Sequence, residues 1–183
     1  DVNKLNFKSS SGCESIEWHL DCAFYPHTND DLVEVGIFLD DCGSDNGPLL
    51  CVPGSHKGPI DDHHHNGFFV GAVDPSNSHY NLDLAEPIIA KAGSISIHHV
   101  RCLHGSRKNN SENARRVLFA GYCAADAWPL RGILDSGIQP NSKEGDYLGN
   151  VYEAFKERMI VGEPSLVARV EKNPVRMPYP PAK

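Results

Sequence analysis

Ser94-Ile95-Ser96-Ile97-His98 alternates polar and apolar side chains, and the chain soon continues as Arg101-Cys102-Leu103-His104-Gly105-Ser106. Both isoleucines fall on one face, the period-two signature of a half-buried strand. Similar β-rich runs occupy residues 5–8, 15–19, 32–39, 49–52, 67–73 and 116–123. Turn chemistry separates them, as in Ser44-Asp45-Asn46-Gly47, Pro53-Gly54-Ser55 and Lys91-Ala92-Gly93. Many short strands without helical patterns between them predict a mainly β fold, a double-sheet jelly roll or barrel rather than a parallel α/β sheet.

Outward from this centre the row offers one convincing helix, over residues 150–160. There Val151, Ala154, Phe155 and Met159 recur at helical spacing while Glu153, Lys156 and Glu157 face elsewhere, so one face is expected to pack on the β core. The proline-rich tail, 174–181, is expected to be extended. No repeat divides the 183 residues, which read as a single domain, 1–183. The row opens at Asp1 and enters strand-like sequence within a few residues, so part of an N-terminal region is expected to be absent.

Seventeen Lys and Arg against 24 Asp and Glu give a formal charge of −7, which disfavours a nucleic-acid partner because phosphate neutralisation needs a clustered basic face. No apolar stretch approaches the roughly 18 residues of a membrane span, and no signal-peptide pattern is present. The six cysteines contain no C-x-x-C pair, unlike a zinc site or a dense disulfide framework. The expectation is a soluble protein with reduced thiols, in the cytoplasm, acting on a small molecule. Nothing in the row selects an oligomeric state.

Trp18-His19-Leu20-Asp21 ends a strand-like run, where H-x-D spacing puts imidazole and carboxylate on the same face. Alone this is weak, since roughly 0.8 such matches arise by chance in a chain of this composition. A third ligand changes the reading, because two His and one carboxylate on one side of a metal leave the opposite side open for ligands and O₂. His104 is the candidate, and Arg115 follows eleven residues later at the start of another strand-like run. Its guanidinium stays charged and can grip a carboxylate in two places.

These elements together resemble the phytanoyl-CoA dioxygenase family, which includes ectoine hydroxylase. The likeness runs over residues 6–126. It rests on Asn6-Phe7-Lys8 ahead of His19, on Trp18-His19-Leu20-Asp21, and on Asn46-Gly47-Pro48-Leu49. It rests also on Pro53-Gly54-Ser55-His56-Lys57-Gly58 and on His104-Gly105-Ser106 with Arg115. The resemblance implies a cupin-like double-stranded β-helix with a few peripheral helices. It implies that His19, Asp21 and His104 bind Fe(II), and that Arg115 pairs with the distal carboxylate of 2-oxoglutarate. By the same likeness Ser106 and Asn6 also touch that co-substrate, O₂ is consumed, and an unactivated C–H bond of a small metabolite or acyl substrate is hydroxylated with release of succinate and CO₂. Because halogenating relatives lack the carboxylate ligand, Asp21 favours hydroxylation. Trp18 and Phe24 are expected to help wall the site from water.

Other residues have plainer readings. His98 and His99 compete with His104, but neither precedes Gly-Ser with an arginine eleven residues on, and both read as core histidines or partners of the ligands. Arg116 should point away from Arg115 and meet solvent or a salt-bridge partner. The tract Asp61-Asp62-His63-His64-His65-Asn66 reads as a solvated loop, a lid edge near the substrate. Pro53-Gly54-Ser55 reads as a structural turn rather than a phosphate loop, and Asn46-Gly47 as a tight turn without chemistry. Two rival functions remain: a non-catalytic jelly-roll binding protein, and a hydrolase or isomerase using zinc or manganese on the same ligands. Arg115 disfavours the second, because such chemistry needs no clamp for 2-oxoglutarate.

Overall fold

Alternation along short strands builds two facing antiparallel sheets. The structure, a computed structural model, describes residues 3–10, 13–130, 153, 155–172 and 175–182. Its strands are β1 (Asn3–Lys8), β2 (Ile16–His19), β3 (Leu32–Phe38), β4 (Leu49–Cys51), β5 (His64–His65), β6 (Phe68–Phe69), β7 (Glu86–Pro87), β8 (Ile95–His99), β9 (His104–Ser106) and β10 (Arg115–Cys123). One sheet has the order β1-β10-β3-β8 and the other β2-β9-β4-β7, while β5 and β6 form a separate ribbon. From β1 to β4 and again from β7 to β10 the chain changes sheet at every step, which is the winding of a jelly roll, a double-stranded β-helix.

In β3, Leu32, Glu34, Gly36 and Phe38 are buried and alternate with half-exposed Val33, Val35 and Ile37. In β8 the buried half is not the isoleucine half: Ile95 and Ile97 are 60% and 63% exposed, and Ser96 and His98 face the other sheet. β1 has the same inversion, with Leu5 and Phe7 outward and Asn6 and Lys8 inward. The reason is local to the interior, which must carry polar groups between the sheets. β5, β7 and β9 went unanticipated because two or three residues hold no measurable alternation, and the expected run 67–73 contracts to β6.

Apolar packing is displaced to two clusters, one around Leu20, Leu32, Val100 and Leu103, the other around Phe38, Val117 and Phe119. Among the described residues four short 3₁₀ turns occur, at Asp21–Ala23, Ser55–Lys57, Pro75–Asn77 and Leu82–Leu84, the first with Cys22 and Ala23 buried. Residues 153 and 155–157 are helical, and Phe155 stacks on Trp128 with ring centroids 5.0 Å apart; Val151 and Ala154 lie outside the described residues. The tail from residue 175 carries almost no regular structure and lies along β6, where Phe69 N donates to Pro180 O at 2.7 Å; Pro174 is not among the described residues. Among the described residues no helix is long and apolar enough to cross a membrane.

Candidate metal and co-substrate site

β2 ends at His19 and β9 begins at His104, and these two residues pair directly across the ladder. Their neighbours Leu20 and Leu103 are fully buried in the core. Successive side chains of an extended chain point to opposite sides, so sinking the leucines turns both imidazoles toward the space between the sheets. Leu20 is itself extended (φ −115°, ψ 130°), which returns Asp21 to the side of His19. Burying each leucine contributes about 1.5–3 kcal/mol, and that energy holds the ligand geometry. Gly105 lets β9 approach β2, since a Cβ there would lie 2.9 Å from Ile16 O.

His19 Nε2 lies 3.8 Å from Asp21 Oδ1, and His104 Nε2 lies 3.7 Å from Asp21 Oδ2. All three potential ligand atoms fall within 4.8 Å of one another. His19 Nδ1 donates to Glu17 O and His104 Nδ1 to Cys102 O, both at 2.8 Å. A carbonyl only accepts, so each ring carries its proton on Nδ1 and presents the Nε2 lone pair to the shared space. Two neutral imidazole nitrogens and one carboxylate oxygen form a donor set that suits ferrous iron.

Burial by itself raises the Asp21 carboxyl, but His104, the hydrogen bond from His98, and His19 bring it down to about 2. Burial pushes His104 down to about 3 and, across the loop, His63 down to about 4. An unfolded chain protonates both imidazoles near the usual 6.5, so between about pH 6.5 and 4 the unfolded state binds more protons and stability falls as pH falls. The metal-free protein should therefore show a lower urea midpoint at pH 5 than at pH 7.5, measured by circular dichroism.

Arg115 opens β10 and is only 2% exposed. Its Nη2 donates to Gly47 O at 2.7 Å, while its Nε and the nearby Ser106 Oγ are buried without a hydrogen-bond partner. An orphaned buried polar group costs about 1–3 kcal/mol, so both atoms favour a ligand that satisfies them. Lys8 lies directly opposite Arg115 in the ladder, and its Nζ donates to Glu14 O at 2.7 Å and Arg107 O at 2.6 Å. Burial, then the charge of Arg115, lowers the pKa of Lys8. Two buried cations side by side call for an anion. Arg116 points away and grips half-buried Asp40 through Nε at 2.8 Å and Nη2 at 2.7 Å.

His19, Asp21, His104, Ser106, Arg115 and Asn6 all line one cavity of about 290 Å³ between the sheets. The connection from His104 to Arg115 is held by fully buried Asn109, whose Nδ2 donates to Ser9 O and Asn113 O, both at 2.9 Å. His98 faces the cavity with Nε2 3.3 Å from Asp21 Oδ2; burial alone would lower its pKa, but Asp21 outweighs this and raises it. His99 is turned to the other face, near His56. Tyr25 OH donates to Glu34 Oε1 at 2.7 Å in the same cavity. The sequence did hold a signal for Glu34, an acid on the buried parity of an otherwise apolar strand.

Three expectations need correction. Phe24 does wall the cavity, its ring centroid 5.7 Å from that of His19, but Trp18 points to the other side and packs on the core. Asn46-Gly47 is more than a turn: Gly47 (φ +82°) packs where a Cβ would lie 2.6 Å from Lys8 Cδ, and its carbonyl anchors Arg115. The histidine tract is not wholly solvated, because His63 is only 2% exposed. Pro53-Gly54-Ser55 serves as a structural turn, with Ser55 Oγ accepting from Leu103 N at 2.8 Å.

The family model for phytanoyl-CoA dioxygenase (PhyH) matches residues 2–117. A probable alpha-ketoglutarate-dependent hypophosphite dioxygenase of Stutzerimonas stutzeri is 42% identical over 182 residues, covering 97% of this chain and 58% of its own length. The L-proline trans-4-hydroxylase of Streptomyces griseoviridis is 30% identical over 139 residues, covering 65% of this chain and 52% of its own. The chain thus spans about half the length of the curated relatives it matches. The crystal structure of SnoK, a non-heme alpha ketoglutarate dependent carbocyclase from nogalamycin biosynthesis, shares the fold, with a TM-score of 0.58 at 23% identity over 77% of this chain and 58% of that one. Because the family model covers more than half of its residues, this chain belongs to the phytanoyl-CoA dioxygenase family.

Proposed function

We propose that this chain, read as one domain, is the catalytic core of an Fe(II)- and 2-oxoglutarate-dependent dioxygenase. His19 Nε2, Asp21 and His104 Nε2 hold the metal, Arg115 pairs with the distal carboxylate of 2-oxoglutarate, and Ser106 and Asn6 complete the co-substrate contacts. The observation that carries this reading is the pair of Nδ1–H groups committed to backbone carbonyls, which leaves two Nε2 lone pairs beside Asp21 in a cavity that also contains the orphaned Ser106 and Arg115 atoms. Ferrous iron with 2-oxoglutarate and O₂ supplies the oxidant that puts one oxygen atom into a substrate bond to hydrogen, with succinate and CO₂ formed. The protein orients and excludes: Arg115 and Ser106 fix the co-substrate, while Phe24 and Phe119 keep water from the reacting centre. The six cysteines are free, which supports a reducing compartment, the cytoplasm.

The substrate bond is a C–H bond of a small metabolite. A second reading, the P–H bond of hypophosphite converted to P–OH of phosphite, is favoured by the 42% identical relative and by the size of the site. At about 290 Å³ the cavity is at the lower edge of small-molecule sites, and beside a co-substrate it suits a compact substrate better than an extended acyl chain. Anaerobic addition of Fe(II) and 2-oxoglutarate to the purified protein should produce a weak visible charge-transfer band. In air, added hypophosphite should give succinate and phosphite in equal amounts, read by ³¹P NMR and chromatography. A zinc or manganese hydrolase shows neither band nor succinate; a silent binding protein shows no turnover. Succinate without phosphite leaves the C–H reading standing and removes the P–H one.

A further inference from the structure

We propose that His63 is a positioning residue for the metal centre, acting through the backbone N–H of Leu20, the residue between the ligands His19 and Asp21. This rests on the oxygenase reading above but concerns a residue outside the ligand set. Leu20 N–H, between His19 and Asp21, donates to His63 Nε2 at 2.9 Å. That bond requires a lone pair on Nε2, so the proton of the ring sits on Nδ1, which donates to Asp61 O at 2.9 Å. Leu20 is fully buried, so without His63 its amide has no water to turn to. The imidazole thus sets the rotation of the peptide planes that aim His19 and Asp21 at one point.

His63 is in turn fixed from behind. The Asp61 carboxylate is buried and accepts from Ser78 Oγ at 2.6 Å and His79 N at 3.0 Å. His63 O accepts from Val70 N, and Trp18 O accepts from Val73 N, which ties residues 61–79 to the strand carrying the ligands. The His63 ring also packs near Phe24 and Phe69, and Phe24 lines the cavity. The loop on the cavity rim and the ligand pair therefore share one rigid connection.

The test compares His63→Phe, which keeps an aromatic ring but loses the acceptor, with His63→Gln, whose amide oxygen reaches the place of Nε2. Co(II) serves as probe, titrated into metal-free protein and read by visible absorption. His63→Phe should bind Co(II) about 10–100-fold more weakly, with an altered band shape, and His63→Gln should recover most of the difference. A purely structural role lowers the melting temperature of both variants and leaves Co(II) affinity and spectrum at the unaltered values, and that result overturns the proposal. If the unaltered protein itself binds no Co(II), the oxygenase reading fails and the positioning role falls with it; normal binding there with unchanged His63→Phe removes the positioning role alone.

Discussion

His104→Ala is expected to abolish metal-dependent succinate formation while the protein stays folded. The residue supplies one of three convergent donors and pairs with His19 across β2 and β9. With only His19 and Asp21 left, Fe(II) affinity should fall further than the roughly 10–100-fold typical of losing an outer partner of a ligand. The fold loses less. The imidazole donates a hydrogen bond to Cys102 O at 2.8 Å, while the neighbouring Leu103 keeps its place in the core. Loss of that bond costs about 0.5–1.5 kcal/mol, readable in urea unfolding of the metal-free protein. Bound iron by elemental analysis and succinate by chromatography decide the matter, and wild-type turnover in this variant would remove His104 from the ligand set.

Arg115→Ala is the second large effect, and it separates the co-substrate from the metal. The guanidinium is buried at the base of the cavity with one Nη2 bond to Gly47 O and an unmet Nε. Truncating one partner of a buried charge pair costs about 2–5 kcal/mol, a loss of roughly 30-fold to several thousand-fold in 2-oxoglutarate affinity. Co(II) binding should be unchanged, because Arg115 is not among the three convergent donors. The anaerobic charge-transfer band should vanish at 2-oxoglutarate concentrations that saturate the unaltered protein. Arg115→Lys should recover only part of it, since an ammonium lacks the planar fork. An unchanged band in Arg115→Ala would place the carboxylate elsewhere, with Lys4 as the other cationic side chain lining the cavity among the described residues.

Much of this architecture was legible before any tertiary structure. The H-x-D pair, His104 before Gly-Ser and an arginine eleven residues on were readable as a set, and the structure gathers all of them with Ser106 and Asn6 around one cavity. The short strands β1, β2, β3, β8 and β10 were readable because alternation over four or more residues, or a β-branched run, leaves a local trace, and β4 because turn residues bracket the apolar run 49–52. Other features left none. Ile95 and Ile97 told that β8 has two unlike faces but not which one faces in, since apolar side chains signal a core only where the interior is dry. His63 looked like part of a solvated tract because the partner of its Nε2, Leu20 N–H, lies 43 residues away in sequence.

The row by itself determined a mainly β fold, jelly roll or barrel, because short strands leave local periodicity, while the family and the residues able to hold a metal and a dicarboxylate were legible through a resemblance carried by several motifs taken together. Only tertiary structure decided which face of each strand meets the cavity, which histidine supports the ligands, and how Gly47 and Lys8 frame Arg115. Those outcomes depend on pairings between strands far apart in the chain, and there a single hydrogen bond or a missing Cβ selects one arrangement among several that the local sequence allows equally.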